Sequence, residues 1–293
     1  MNLTNNVAPW LQKPGVWGPV TATLDWCEMN HQFSPYIAEM ANTFSNLFTV
    51  AISLIGCLEA KRQGLPSRYV AGYAGVALVG IGSFFFHATL LFEAQLADEL
   101  PMIYVGSMSL FLLFDSERGF NIHNARSRML VALLVAFDIG FTWSYMVWRN
   151  PIYHQCVFAL TVISTALRVA YILHKHPNAP MIPQKKKDVI TNFFSTGAAT
   201  FAFGFLVWNL DNVFCERLTR WKVQIGWPGA FFLEGHSWWH VLTGLGTYLM
   251  FIGIQFVTLC VKDDPKNYQV NYRYGLPHIQ RTPASQAERA KVL

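Results

Sequence analysis

Residues 69–87 read YVAGYAGVALVGIGSFFFH, nineteen consecutive positions without an Asp, Glu, Lys or Arg. As a helix rising about 1.5 Å per residue, such a run covers roughly 28 Å, close to the ~30 Å hydrocarbon layer of a bilayer. Its glycines and Ser83 suit helices that pack closely in lipid. Comparable apolar runs recur at 36–58, 99–114, 129–148, 152–173, 189–210 and 237–261, each bounded by polar or turn-forming residues. The expected fold is all-α, a polytopic membrane protein built as a seven-transmembrane-helix bundle. Strands are not indicated anywhere.

Composition agrees. Of 293 residues, 53% are hydrophobic and 13% charged, with a mean hydropathy of +0.27. An average soluble domain is roughly a quarter charged, so this chain carries more apolar surface than one aqueous core can hide. The net charge of +5 does not indicate nucleic acid, because the 22 basic residues fall between the apolar runs instead of forming one stripe. Three parts are expected: an N-terminal segment 1–35, a seven-helix catalytic domain 36–261, and a polar, unpatterned tail 262–293 that extends freely. The first 35 residues lack the features of a removable signal peptide, so the first span serves as the insertion signal.

Lys and Arg give the orientation. Lys61, Arg62, Arg68, Arg118, Arg126, Arg128, Lys175, Lys185, Lys186, Lys187 and six residues from Lys262 onward share one face, 16 in all. The other face has 5: Lys13, Arg149, Arg217, Arg220 and Lys222. This bias puts the C-terminus in the cytosol and the N-terminus in a lumen or outside. Cys27 and Cys215 then share the lumenal face, where a pair can oxidise; two free thiols is the alternative.

The second span ends Ser83-Phe-Phe-Phe-His87, and the seventh begins His236-Ser-Trp-Trp-His240. Spacing of i, i+4 puts His236 and His240 on one helix face and sets Ser83 beside His87. The alternating course of the spans brings all three histidines to one depth. Three imidazoles with an open fourth position suit a catalytic zinc. His31, His123, His154, His174, His176 and His278 fall in loops, termini or near helix ends and are assigned no role.

Residues 93–104, EAQLADELPMIY, read as a return loop at the same membrane face. Asp98 is open to two readings there: a proton carrier beside a metal-bound water, with Ser83 donating to the oxyanion, or a cap for a helix starting near Pro101. Asp25, Glu28, Asn30 and Glu39 offer four oxygen side chains within 15 residues, to which the Trp26 carbonyl can add. Calcium suits such a set, and a solvated acidic loop is the plainer account. Asp138 and Arg168 lie at membrane depth and need partners; they can pair with each other or form a polar wall.

Together these motifs carry a resemblance. Asp25-Trp-Cys-Glu-x-Asn30 with Glu39, Ser83-x3-His87-x10-Asp98-Glu-Leu-Pro-Met-x-Tyr104, Trp208-Asn-Leu-Asp-Asn-x-Phe-Cys215 and His236-x-Trp-Trp-His240 occur in order, and the chain resembles the alkaline ceramidases, most closely the fungal and phytoceramidase-type members. The resemblance implies an intramembrane amidase of the endoplasmic reticulum or Golgi that splits ceramide, including phytoceramide or dihydroceramide, into a sphingoid base and a fatty acid. It implies zinc on His87, His236 and His240, with Ser83 and Asp98 at the catalytic centre. It further implies calcium on Asp25, Trp26, Glu28, Asn30 and Glu39, and a disulfide between Cys27 and Cys215. Ceramide and membrane lipid are the expected partners, with no obligate protein partner.

Two other readings compete. A lipid-binding receptor of the adiponectin-receptor type with a structural zinc is similar in topology, but is expected to have a cytosolic N-terminus. A proton or metal transporter would spread its ionisable groups across the bilayer, whereas these histidines sit at one depth.

Overall fold

The computed structural model describes residues 15–117 and 124–285. Lys13, Arg118, His123 and the last residues of the tail, with Arg289 and Lys291, lie outside the described residues. The chain forms α1 (Met40–Arg62), α2 (Ser67–Thr89), α3 (Phe92–Phe114), α4 (Ala125–Trp148), α5 (Pro151–His174), α6 (Gln184–Val213), α7 (Cys215–Ile225) and α8 (Gly235–Lys262), then a hairpin of β1 (Tyr268–Arg273) and β2 (Leu276–Arg281). All the helices except α7 are long and apolar enough to cross a membrane. This is an all-α polytopic membrane fold, with Leu133, Ile139, Trp143 and Val147 of α4 turned outward as lipid-facing residues.

Polar groups mark the helix starts. Asn124 and Asn150 accept from Arg126 N and Ile152 N at 2.9 and 3.0 Å, and Pro151 opens α5 where its missing N–H costs nothing. The Glu28 carboxylate accepts from Ala41 N and Asn42 N at 2.7 and 2.8 Å, anchoring the N-terminal segment to the first turn of α1. The Asp211 carboxylate near the end of α6 accepts from Gly235 N at 3.1 Å and so fixes the start of α8.

Helix α8 is the axis of the bundle: 78% of its apolar window is buried, against 11% for α4. It meets α6 backbone to backbone. A Cβ on Gly197 would lie 2.6 Å from the Gly246 carbonyl oxygen, so this crossing admits only glycine.

Four expectations are corrected. The stretch read as a return loop is helical from Phe92, so the third span begins seven residues before position 99. Asp138 and Arg168 do not pair: Asp138 accepts from Ser107 Oγ at 2.6 Å, while Arg168 Nε donates to the Leu113 carbonyl at 3.3 Å and its guanidinium covers Phe114 and Tyr171. Strands do occur. The tail is folded over 268–281 as an antiparallel hairpin, whose Tyr274-Gly275 turn has two positive φ angles, 52° and 78°, the type I′ signature. The hairpin packs on the end of the bundle away from the histidines: Tyr248 Oη donates to the Pro277 carbonyl at 2.8 Å, and Glu59 takes Arg273 Nη1 at 3.0 Å with His278 Nε2 at 3.6 Å.

Candidate metal centre and cavity

His87 ends α2, and His236 and His240 lie in the first two turns of α8. One nitrogen from each falls within 4.8 Å of the others, and His87 Nε2 is 3.3 Å from His236 Nε2. Tetrahedral zinc with Zn–N near 2.05 Å requires nitrogens about 3.3 Å apart, so this pair already has the spacing of a tetrahedral edge. The outer nitrogens are mostly engaged. His87 Nδ1 meets Glu39 Oε2 at 2.5 Å, and His240 Nδ1 meets Ser45 Oγ at 2.8 Å and Asn46 Nδ2 at 3.3 Å. A partner on Nδ1 fixes ring orientation and leaves Nε2 for a metal. His236 is held by stacking instead, with the Trp26 ring 3.9 Å away and 18° from parallel.

Ser83 Oγ is 3.5 Å from His240 Nε2, and the Asp98 carboxylate lies close enough to interact with the same hydroxyl. Asp98 stands in the second turn of α3 and faces the cavity, so it does not cap a helix at Pro101, which lies inside α3. Two residues create this juxtaposition. Pro101 has no N–H for the Ala97 carbonyl four residues before it, and that carbonyl lies against Gly82, where a Cβ would be only 1.9 Å from the oxygen. Helix α2 therefore touches the backbone of α3 one residue from Ser83 and one from Asp98.

The acidic residues of the N-terminal segment gather beside this centre. Burial pushes the Asp25 carboxyl upward; it raises Glu28 too, helped by Glu234, and holds Glu39 well above the usual carboxylate range with Glu28 and Asp25 adding to it. Asn30 Oδ1 and Glu39 Oε1 are buried with no hydrogen-bond partner among the described residues. Buried carboxylates with orphaned oxygens fit a hard divalent cation. The set is looser than the histidines, the only His, Cys, Asp and Glu group among the described residues to converge so tightly. Lys222 of α7 lies alongside, 2.6 Å from Glu234 Oε2 and 3.3 Å from the Cys27 carbonyl. The structure joins Cys27 to Cys215 with Cα atoms 5.4 Å apart, tying this segment to the start of α7.

An apolar cavity of about 460 Å³ runs from the histidines between α2, α3, α5, α6 and α8. Several of its features were missed from sequence. Two of the partners of His240, Asn46 and Thr49, belong to a polar stripe, Asn42, Asn46, Thr49 and Ser53, whose i, i+4, i+7, i+11 spacing inside an apolar run was available as a signal. Asp211 and His154 gave no such pattern. His154, assigned no role above, is buried and lines the cavity.

Comparison with known proteins agrees with these motifs. A family model described as Ceramidase matches residues 18–282. Alkaline ceramidase 3 of Mus musculus is 34% identical over 271 residues, 92% of this chain and 96% of the relative. An alkaline ceramidase of Saccharomyces cerevisiae is 29% identical over 270 residues, 89% and 84% of the two chains. The alkaline ceramidase of Arabidopsis thaliana is 29% identical over 274 residues, 90% and 94%.

Proposed function

The chain belongs to the ceramidase family, and we propose that it is an intramembrane amidase that hydrolyses ceramide to a sphingoid base and a free fatty acid, with zinc on His87, His236 and His240. The observation that supports this most is the meeting of three imidazoles, a hydroxyl and a carboxylate at one end of an apolar cavity. When bound, zinc supplies a Lewis acid for the amide carbonyl and lowers the pKa of water towards ~7.

The chain's own residues account for the rest. Asp98 takes the proton of the attacking water and delivers it to the departing amine. Once Asp98 has taken that proton it no longer needs the Ser83 hydroxyl as a donor, and Ser83 can turn its O–H to the oxygen that gains charge at the carbonyl. Glu39 and Ser45 hold the outer nitrogens of His87 and His240, so Nε2 stays available. The cavity keeps the two chains out of water. Calcium on Asp25, the Trp26 carbonyl, Glu28, Asn30 and Glu39 orders the N-terminal segment against α1 and leaves bond cleavage to the histidine centre. The surplus of Lys and Arg on the opposite face supports a lumenal position for this end, in the endoplasmic reticulum or Golgi on this reading, where Cys27 and Cys215 can be oxidised.

The deciding experiment incubates the purified protein in detergent with ceramides that differ in base and acyl length, with and without a zinc chelator, and reads products by mass spectrometry. Equimolar base and fatty acid, lost on chelation and restored by zinc, is the expected result. Turnover untouched by complete zinc removal would overturn the metal assignment, and no release from any ceramide would overturn the substrate.

A further inference from the structure

Two polar atoms on the cavity wall are used neither by the metal centre nor by the acidic segment. Glu99 follows Asp98 on α3 and is buried. Its Oε2 accepts from the Tyr145 hydroxyl and from Gln95 Nε2 at 3.1 Å. Gln95 is fixed in turn by Thr23, whose backbone N–H donates to Gln95 Oε1 at 2.8 Å and whose hydroxyl accepts from Gln95 Nε2 at 2.7 Å. No described residue bonds to the other oxygen, Oε1, and Glu99 lines the cavity.

His154 lies in the first turn of α5, across the cavity wall from α3. Its Nε2 is 2.9 Å from the Glu99 backbone carbonyl. A carbonyl only accepts, so Nε2 carries the proton, and Nδ1 of the neutral ring is an acceptor. No described residue occupies Nδ1, and His154 also lines the cavity. Glu99 and His154, each tethered through its other polar atom, thus both stand on the wall next to Asp98, while Met102, Phe158 and Val162 continue it as apolar surface.

We propose that Glu99 Oε1 and His154 Nδ1 form a hydroxyl-binding subsite that reads the C3 hydroxyl, where the sphingoid chain leaves the amide-bearing head. The inference rests on the ceramidase reading and adds to it the group that recognises the base. Paired acceptors call for a ligand that donates. They stand where the wall changes from polar to apolar, and in a ceramide whose amide lies at the histidines the hydroxyl at that junction is the one on C3. A C3 ketone has nearly the same shape but no proton to give, so it leaves both acceptors bare; a buried acceptor left unpaired corresponds to about 10- to 100-fold in binding.

Glu99→Gln inverts the polarity while keeping the wall. The donors of Tyr145 and Gln95 hold the new amide oxygen where Oε2 was, which turns the NH2 into the cavity. His154→Lys keeps a donor for the Glu99 carbonyl and offers no acceptor. The test measures binding of N-acyl sphinganine and its 3-keto counterpart, of equal acyl length, to Asp98→Asn protein in which turnover is blocked. The unmodified wall should favour the hydroxylated lipid by about tenfold or more. Either added substitution should shrink that preference at least fivefold, and Glu99→Gln should bind the ketone more tightly in absolute terms, with zinc content unchanged. Should Glu99→Gln fail to fold, His154→Lys carries the same prediction. Failure of the native chain to hydrolyse either lipid would sink the ceramidase reading, whereas the binding preference stands or falls independently of turnover. No preference for the hydroxyl, or a preference within twofold of the parent in the substituted proteins, overturns the subsite.

Discussion

Gly82→Ala removes no functional group, yet it should disable the enzyme. The added Cβ would sit 1.9 Å from the Ala97 carbonyl oxygen, 2.4 Å from its carbon and 2.9 Å from Asp98 N. All three are backbone atoms, so no side chain can swing aside. To restore a contact near 3 Å, α2 and α3 must part by about 1 Å, and they part at the residues next to Ser83 and Asp98. A misplacement of about 1 Å at a reacting group can cost about 100-fold in rate. Overpacking of this kind costs about 1 to 3 kcal/mol in stability, which leaves the protein folded enough to assay. The assay compares kcat, bound zinc and thermal midpoint for Gly82→Ala and for Gly75→Ala. A Cβ at Gly75 meets only the end of the Val105 side chain, at 2.9 Å. Gly82→Ala should lose about two orders of magnitude in kcat while keeping its zinc, since His87 lies a turn further along α2, and Gly75→Ala should stay near wild type. Normal turnover in Gly82→Ala would refute the argument that this backbone contact sets the Ser83–Asp98 distance.

His87→Ala, His236→Ala and His240→Ala should each abolish hydrolysis and lower bound zinc, measured by elemental analysis; full occupancy with intact turnover in any one would remove that histidine from the ligand set. Asp98→Asn should lower kcat about 100- to 10,000-fold with zinc and folding retained, because an amide cannot carry the proton, and near-normal turnover would leave Asp98 a structural part only. Calcium should raise turnover and thermal midpoint where magnesium does not, with Glu28→Gln blunting the response at constant zinc; an equal effect of magnesium would reduce the site to a weakly screening acidic loop. The hairpin should loosen in acid. Burial holds the His278 imidazole below its usual range, so the undocked form takes the proton more readily, and docking, complete above about pH 6.5, weakens as pH falls through that value. Hydrogen exchange of 268–281 at pH 7.5 and 5.5, corrected for intrinsic rates, should show the loss in the native chain and not in His278→Gln; equal protection at both pH values would dismiss it.

What was legible in the sequence followed from composition and short-range spacing. Apolar runs of membrane length announced the helices, and i, i+4 histidines at span ends announced a cluster, because a helix converts spacing into a shared face whatever surrounds it. Misreadings arose where tertiary structure decides. Pro101 resembled a helix start, but the turn before it, from Phe92, is held by contacts with the N-terminal segment: Thr21 Oγ1 accepts from Phe92 N at 2.9 Å, and Gln95 is bonded to Thr23. Asp138 found Ser107 and Arg168 found aromatic faces, and neither partner follows from local spacing. The hairpin was hidden by its length, six residues a strand, and by the reading of Pro and charge as disorder; Tyr274-Gly275 was the one local hint.

Glu39 is where the two halves of the proposed site meet. Its backbone N–H donates to the His87 carbonyl at 3.0 Å, and its Oε2 meets the same residue's ring at 2.5 Å, so one residue fixes both the end of α2 and the orientation of an imidazole of the proposed zinc site. Its second oxygen is buried with no hydrogen-bond partner among the described residues, and Asp25 and Glu28 lie close enough for their charges to act on the carboxyl. A cation taken up there would neutralise part of the charge facing the His87 Nδ1–H and immobilise the residue immediately before α1. Coupling between the two metal sites then needs no relay through the bundle, because a single carboxylate belongs to both. Such coupling is reciprocal: whatever factor calcium imposes on zinc affinity, zinc must impose on calcium affinity. With Glu39 replaced, the sites should bind independently even where each keeps its other ligands.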